Sequence, residues 1–141
     1  MSTQSDSGPR VRLEQVSRRA GAVPGRWLVA WQVRNLGQYP LRLLAARLPH
    51  SRFRSEEREL DPAPYLLPDE RTQLEFPVAC GELSGTVVEN AFLIFRVLWQ
   101  DEHWRIFARL RVLFDEQGGP QAATEVVTVQ RVGFSAARKS V

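Results

Sequence analysis

The residues with the clearest capacity for chemistry lie in a short polar stretch between two tryptophans, Trp99 and Trp104. This stretch reads Gln-Asp-Glu-His at positions 100–103. A carboxylate beside an imidazole can serve as a general acid or base, and three or four converging side chains of these types can hold a metal ion. Together with the other histidine of the chain they define one hypothesis, a small-ligand or enzyme site in the strand-end loops built from His50, Asp101, Glu102 and His103.

The alternative is that the same stretch is the tip of a β-hairpin. Adjacent side chains on an extended chain point to opposite sides, so neighbours rarely converge on one substrate. Polar residues between two bulky aromatics are also typical of a hairpin connection. His50 follows Pro49 at the end of an apolar run, and nothing in the sequence places it beside His103. We therefore favour the hairpin and predict no catalytic residue, no metal site and no cofactor.

Two further nucleophiles, Cys80 and Ser84, are interpreted as structural. The single cysteine excludes an internal disulfide framework and a cysteine-based zinc site. No basic residue flanks Cys80, which favours a small core residue over a reactive thiolate. Ser84 lies in Leu-Ser-Gly rather than in a G-x-S-x-G motif, and this indicates a turn.

The elements that must position these residues are extended strands. The clearest is RWLVAWQVRN, in which Trp27, Val29, Trp31 and Val33 fall on one face. Similar alternation marks Val11–Val16, Leu41–Leu48, Thr72–Val78, Ala91–Trp99, Trp104–Phe114 and Thr124–Val132. Residues 51–71 are the least regular: Arg52, Phe53 and Arg54 are predicted to open a short edge strand, and the charged and Pro-rich residues 56–71 to form a long loop with at most short extended pieces. Seven or eight short strands without a helical period predict an all-β fold, an antiparallel two-sheet β-sandwich.

Two long apolar runs flank the polar tip, and their pairing sets which side chains share a face. If Trp99 pairs with Trp104, then Val97 faces Ile106, Phe95 faces Ala108 and Leu93 faces Leu110, which forms a continuous apolar face for the core. The opposite face mixes arginines with large apolar side chains. Its predicted binding residues are Phe92, Ile94, Arg96, Arg105, Phe107, Arg109 and Arg111.

Protein interfaces are enriched in aromatic residues and arginine. The sequence thus predicts that this face binds another protein or a second copy of the chain. The competing interpretation is that arginine stems only cover isolated apolar residues. A nucleic-acid binder is the third alternative, because aromatics can stack on bases and arginines can bind phosphates. The net charge of +3, well mixed with acidic residues, argues against that partner.

Length and composition predict one domain. In 141 residues, 43% are hydrophobic, which is enough for an ordinary core. We predict a disordered N-terminal tail at residues 1–9, the domain at 10–134 and a short basic tail at 135–141. The N-terminus lacks the pattern of a signal peptide, and no apolar run is long enough to span a membrane, so we expect a soluble cytoplasmic protein.

Two stretches resemble bacterial immunoglobulin-like domains, such as the adhesion-related and fibronectin-like modules. WQVRNLGQYPLRL resembles their V-x-N-x-G stretch, with matches at Val33, Asn35, Gly37, Pro40 and Leu41. YLLPDERTQLEFPV resembles their second stretch, with matches at Leu67, Pro68, Glu70, Leu74, Phe76 and Val78; Asp69 stands where the family usually has glycine. The resemblance covers residues 27–78 and implies an immunoglobulin-like sandwich and a non-catalytic binding or spacer role.

Overall fold

The computed structural model describes residues 8–132. These residues form nine antiparallel strands and no helix. The strands are β1 Val11–Ala20, β2 Arg26–Asn35, β3 Leu41–His50, β4 Phe53–Glu59, β5 Tyr65–Leu66, β6 Arg71–Ala79, β7 Val87–Trp99, β8 Glu102–Phe114 and β9 Pro120–Arg131. Residues 1–7 of the predicted N-terminal tail and the whole predicted tail 135–141 lie outside the described residues.

The all-β, antiparallel class predicted from the sequence is confirmed. The strands follow one another across the sheet in the order β1-β2-β6-β4-β3-β7-β8-β9, and β5 adds to β3. This makes a nearly closed, barrel-like sheet. The predicted division into two sheets is not confirmed, because the pairing of Arg54 with Ala79 joins β4 to β6 and leaves the strands continuous.

The seam of the sheet lies between β1 and β9. No backbone ladder pairs these two strands among the described residues. The side-chain amide of Gln15 crosses the seam instead: its Nε2 donates to the Pro120 carbonyl at 3.0 Å, and its Oε1 accepts from the Ala122 amide at 2.7 Å. This amide therefore takes the place of a backbone peptide group from a neighbouring strand.

Two-residue alternation over most of each strand explains why the strands bury one face. On β2, Val29, Trp31 and Val33 are completely buried, and the same pattern fills the interior from the other long strands. The largest fully buried side chains are Trp31, Phe53, Phe95, Phe114, Leu41, Leu43, Leu48, Leu93, Ile106 and Leu110. These side chains belong to one continuous core. The outward-facing residues of β7 and β8 are not part of it.

The hairpin of β7 and β8 differs from the prediction by two residues in register. Trp99 pairs with Glu102, and Val97 pairs with Trp104. The connection is thus the two-residue turn Gln100–Asp101, with φ of 50° and 62°, rather than a four-residue loop. Two positive φ values in a two-residue connection give the type I′ geometry, whose twist matches that of the flanking strands.

The shorter turn moves each predicted cross-strand partner but keeps each side chain on its face. Inside, Phe95 faces Ile106 and Leu93 faces Ala108. Outside, Ile94 faces Phe107 rather than Arg109, Phe92 faces Arg109 rather than Arg111, and Arg96 faces Arg105 rather than Phe107. A shift of two residues preserves the face because the side-chain period of a strand is two.

Candidate functional site

The outward side chains of β7 and β8 form one surface, which we term the Arg/aromatic face. It comprises Phe92, Ile94, Arg96, Arg105, Phe107, Arg109 and Arg111. All seven residues predicted from the sequence lie on this one side of the hairpin, because they alternate with the buried residues of both strands. The structure therefore brings the predicted set together on one surface.

Exposure differs along the face. Ile94 is only 8% exposed, whereas Phe92 and Phe107 are half-buried and Arg111 is exposed. Ile94 lies between Arg47 on β3 and Phe107 on β8, so its neighbours cover it. The side chains that a partner could contact are therefore the two phenylalanines and the arginines.

One edge of the face is held by glutamates from β4. Arg96 donates to Glu57 Oε2 at 3.1 Å through Nε and to Glu59 Oε2 at 2.6 Å through its terminal NH2 group. Arg47 lies 4.0 Å from the other oxygen of Glu57. Completely buried Ala45 lies directly between Arg96 and Glu59 in the strand order, and its small side chain leaves room for the arginine to reach across β3.

The other edge is held by glutamates at β-bulges. On β7 the ladder shifts between Val88 and Ala91, and there Glu89 accepts a 3.0 Å hydrogen bond from Arg111 Nε. On β9 the shift opposite Arg109 and Leu110 includes Glu125, whose Oε1 lies 3.5 Å from Arg109 Nε. Bulges re-aim the side chains that they contain, and here they direct two carboxylates towards two arginines.

These four glutamates were not predicted as part of the site. Arg52, Phe53 and Arg54 were expected to open a short edge strand and residues 56–71 to be mainly a loop, but one strand with a bulge at Glu56 and Glu57 extends from Phe53 to Glu59. The signal that could have shown this is the two-residue spacing of Glu57 and Glu59, which places both carboxylates on one side of an extended chain. No comparable sequence pattern marks the bulges that position Glu89 and Glu125.

The residues of the end-loop hypothesis are not brought together. Leu41, at the start of β3, pairs with Trp99 beside the hairpin tip, whereas His50 is nine residues further along the same strand. Nine residues of extended chain span about 30 Å, so His50 and the Asp101–His103 tip lie at opposite ends of the sheet. Glu102 forms an ion pair with Arg131 at 3.2 Å, and His103 is exposed.

His50 instead belongs to a polar group beside the loop that follows β6. Its Nδ1 accepts a 3.0 Å hydrogen bond from the Arg52 amide, and the Arg52 guanidinium donates to Glu82 Oε1 at 2.8 Å. That hydrogen bond lowers the pKa of Glu82 and raises the pKa of Arg52. These contacts fasten the β3–β4 turn to the loop after β6.

Cys80 lies at the same end, beside a cavity of about 300 Å³ lined by Gly21, Pro24, Trp27, Glu82 and Gln117. Burial, and to a lesser extent the charge of Glu82, raises the pKa of its thiol to about 11. The thiol is therefore protonated at neutral pH, which makes it a poor nucleophile. Among residues 8–132, no three side chains of the His, Cys, Asp and Glu types group closely enough to hold a metal ion.

The two tryptophans beside the hairpin tip close one end of the core. Trp99 and Trp104 are 5% and 8% exposed, and their rings meet edge to face with centroids 5.6 Å apart. Tyr39 adds a second edge-to-face contact to Trp99 at 5.8 Å. Perpendicular contacts of this kind are favourable for aromatic pairs, so the end of the core is filled by rings and the polar turn remains outside it.

No helix within the described part of the chain has the length and apolar character needed to cross a membrane. No family model matches the chain, and no curated protein matches it. One similar solved structure is the "X-ray structure of Northeast Structural Genomics Consortium target SoR45", with 15% sequence identity over 90% of this chain and 88% of that chain. Its TM-score is 0.29, too low for the likeness to support an argument about fold or function.

Proposed function

We propose that this protein is a non-catalytic interaction or assembly module that binds a protein partner, or a second copy of itself, through the Arg/aromatic face. The observation that supports this proposal is the fixed arrangement of that face: half-buried phenylalanines lie among arginines that glutamates of β4, β7 and β9 hold in place. Side chains that are already ordered lose less conformational entropy on binding. Aromatic and arginine side chains are also the types that contribute most to protein interfaces.

The test replaces Phe107 by Ser and Arg109 by Glu in one variant. A matched control carries Leu28→Ser with Arg19→Glu on the β1–β2 surface, where Arg19 pairs with Leu28 across the strands and forms an ion pair with Glu75. Both variants thus lose one half-buried apolar side chain and reverse one ion-paired arginine. Oligomeric mass by light scattering and captured partners by mass spectrometry are compared after circular dichroism has established folding.

We expect the face variant, and not the control, to lose its partner or its oligomeric mass. If the folded face variant keeps both its mass and its partners, the face is not the binding surface. Nucleic-acid binding is the alternative for the same surface, and it predicts an affinity that falls steeply with salt concentration. The end-loop ligand site has less support, because its four proposed residues lie at opposite ends of the sheet.

We also propose that the barrel-like sheet is an immunoglobulin-like sandwich. Support comes from the pairing of β2 with β6, of β3 with β7 and of β7 with β8, and from the single residue pair that joins β4 to β6. An experimental structure with two layers about 10 Å apart would agree, and strands evenly spaced around one ring would not. The cytoplasmic location expected from the sequence is a proposal that cell fractionation tests.

A further inference from the structure

The Arg/aromatic face carries one positive charge that its own acidic residues do not balance. Together with Arg47 at its edge, the face has five arginines, and four glutamates border it. Four of the five arginines have a glutamate within 4.0 Å: Arg47 with Glu57, Arg96 with Glu57 and Glu59, Arg109 with Glu125, and Arg111 with Glu89. The fifth, Arg105, has no ionic or hydrogen-bonding partner within residues 8–132.

The neighbours of Arg105 increase this imbalance. Arg105 pairs across the strands with Arg96 on one side and with Gln130 on the other. Like charges in direct opposition are unfavourable in a sheet, and the two glutamates that balance Arg96 lie on its far side, towards β4. Two residues along β8, Phe107 presents a half-buried ring on the same side. Within residues 8–132 the face therefore offers a guanidinium without a counter-ion next to an aromatic surface.

We propose that the face binds an acidic segment of a partner protein, in which a carboxylate pairs with Arg105 and an adjacent apolar side chain packs on Phe107. This inference rests on the proposed function and specifies the partner's chemistry. A guanidinium forms two parallel hydrogen bonds with a carboxylate, a geometry that an ammonium group cannot reproduce. A carboxylate at this position would balance the one arginine charge that the four bordering glutamates do not neutralise.

The chain offers a closely matched control for this arginine. Arg12 on β1 is exposed, has no ion pair within the described residues, and pairs across the strands with Arg34, which is ion-paired to Asp69. Arg12 thus shares the unpaired charge and the ion-paired arginine neighbour of Arg105. It differs in its position, which is outside the Arg/aromatic face, and in being exposed where Arg105 is half-buried.

The test measures fluorescence anisotropy with a labelled peptide of four Glu-Phe-Ser repeats, and compares a Gln-Phe-Ser peptide and a single-stranded oligothymidylate. We expect the full-length protein to bind the acidic peptide in preference to both. Arg105→Gln should weaken that binding by about ten- to a hundredfold, the range for a lost charge-assisted hydrogen-bond pair. Arg105→Lys should recover only part of the loss, and Arg12→Gln should leave the affinity within about twofold of the native protein.

Several results would overturn the inference. They are no binding of the acidic peptide at millimolar concentration, equal effects of Arg105→Gln and Arg12→Gln, or tighter binding of the oligothymidylate than of the peptide. Phe107→Ser separates this failure from that of the proposed function. If Phe107→Ser abolishes binding and Arg105→Gln does not, the face is a binding surface but the partner is not selected by a carboxylate. If neither substitution changes the affinity for the acidic peptide, the Arg/aromatic face is not the surface that binds it.

Discussion

Asn35 allows the sharpest test of how the fold is held together, because its side chain is polar and completely buried. Its Nδ2 donates to the carbonyls of Tyr39 at 2.9 Å and Leu66 at 3.0 Å, and its Oδ1 accepts from the Gly37 amide at 2.9 Å. One amide therefore joins the end of β2 to the loop before β3 and to β5. Replacement of Asn35 by Ala removes all three hydrogen bonds.

The expected cost follows from those contacts. A hydrogen bond contributes about 0.5–1.5 kcal/mol net, and a buried group left without a partner costs more. Three lost bonds with two carbonyls and one amide left unpaired should lower the free energy of unfolding by about 2–4 kcal/mol. Asn35→Asp keeps the acceptor for Gly37 but places a carboxylate against two carbonyls. Its destabilisation should therefore be large at neutral pH and smaller in acid, where the carboxyl group is protonated and can donate.

The assay is urea denaturation followed by circular dichroism, with Gln73→Ala as the control, because Gln73 is exposed on β6. The control should change the free energy of unfolding by less than about 0.5 kcal/mol. An Asn35→Ala loss below about 1 kcal/mol, with an unchanged denaturant slope, would refute the reasoning. It would mean that water or a rearranged loop replaces the three contacts.

Three further predictions concern the seam, the hairpin turn and the thiol. Gln15→Ala should lower the free energy of unfolding by about 1–2 kcal/mol and speed hydrogen exchange at the Ala122 amide; unchanged exchange there would contradict the role of Gln15 in the seam. Replacing Gln100–Asp101 by Asn-Gly should raise the free energy of unfolding by about 0.5–1 kcal/mol, since both positions have positive φ, and a lower melting temperature would argue against the two-residue turn. The pKa of Cys80 lies at about 11 instead of 9.0, so at pH 8 alkylation should be about a hundredfold slower in the native protein than in urea. Because folding raises this pKa, the contribution of the protonated thiol to the free energy of unfolding is complete below pH 9.0 and is lost as the pH rises towards 11. A native alkylation rate equal to that in urea would rule out the buried thiol.

The sequence predicted most of the strands, because apolar alternation is a direct consequence of burying one side of a sheet. Leu41–Leu48 was assigned correctly from the prolines at its ends, and the structure extends that strand to His50. The register of the β7–β8 hairpin was wrong by two residues, since Gln and Asp are not the usual residues for a turn with two positive φ values. A shift of two residues leaves every side chain on the same side of the strand. The seven residues of the Arg/aromatic face were therefore correctly assigned to one face of the hairpin.

The arrangement of charge on that face could not be predicted. The sequence placed each arginine on the face but could not identify its acidic partner, because the partner comes from a distant segment. Arg96 pairs with Glu57 and Glu59, and Arg109 pairs with Glu125. Three of the four acids, Glu57, Glu89 and Glu125, lie at bulges, where the two-residue alternation fails and sequence periodicity gives no guide. The same limit explains why the sequence could not show that Arg105 lacks an ionic partner among the described residues.

The seam also determines where the chain enters and leaves the sheet. A Cβ atom at Gly8 would fall 2.7 Å from Trp104 Cζ3 and 3.0 Å from Val129 Cγ2, and the Val132 amide donates to the His103 carbonyl at 2.8 Å. The entry to β1 and the exit from β9 are therefore neighbours beside Trp104. A short linker across this gap, with a new opening in the loop at Gly85, would give a circular permutant that begins with β7 and retains every strand pair.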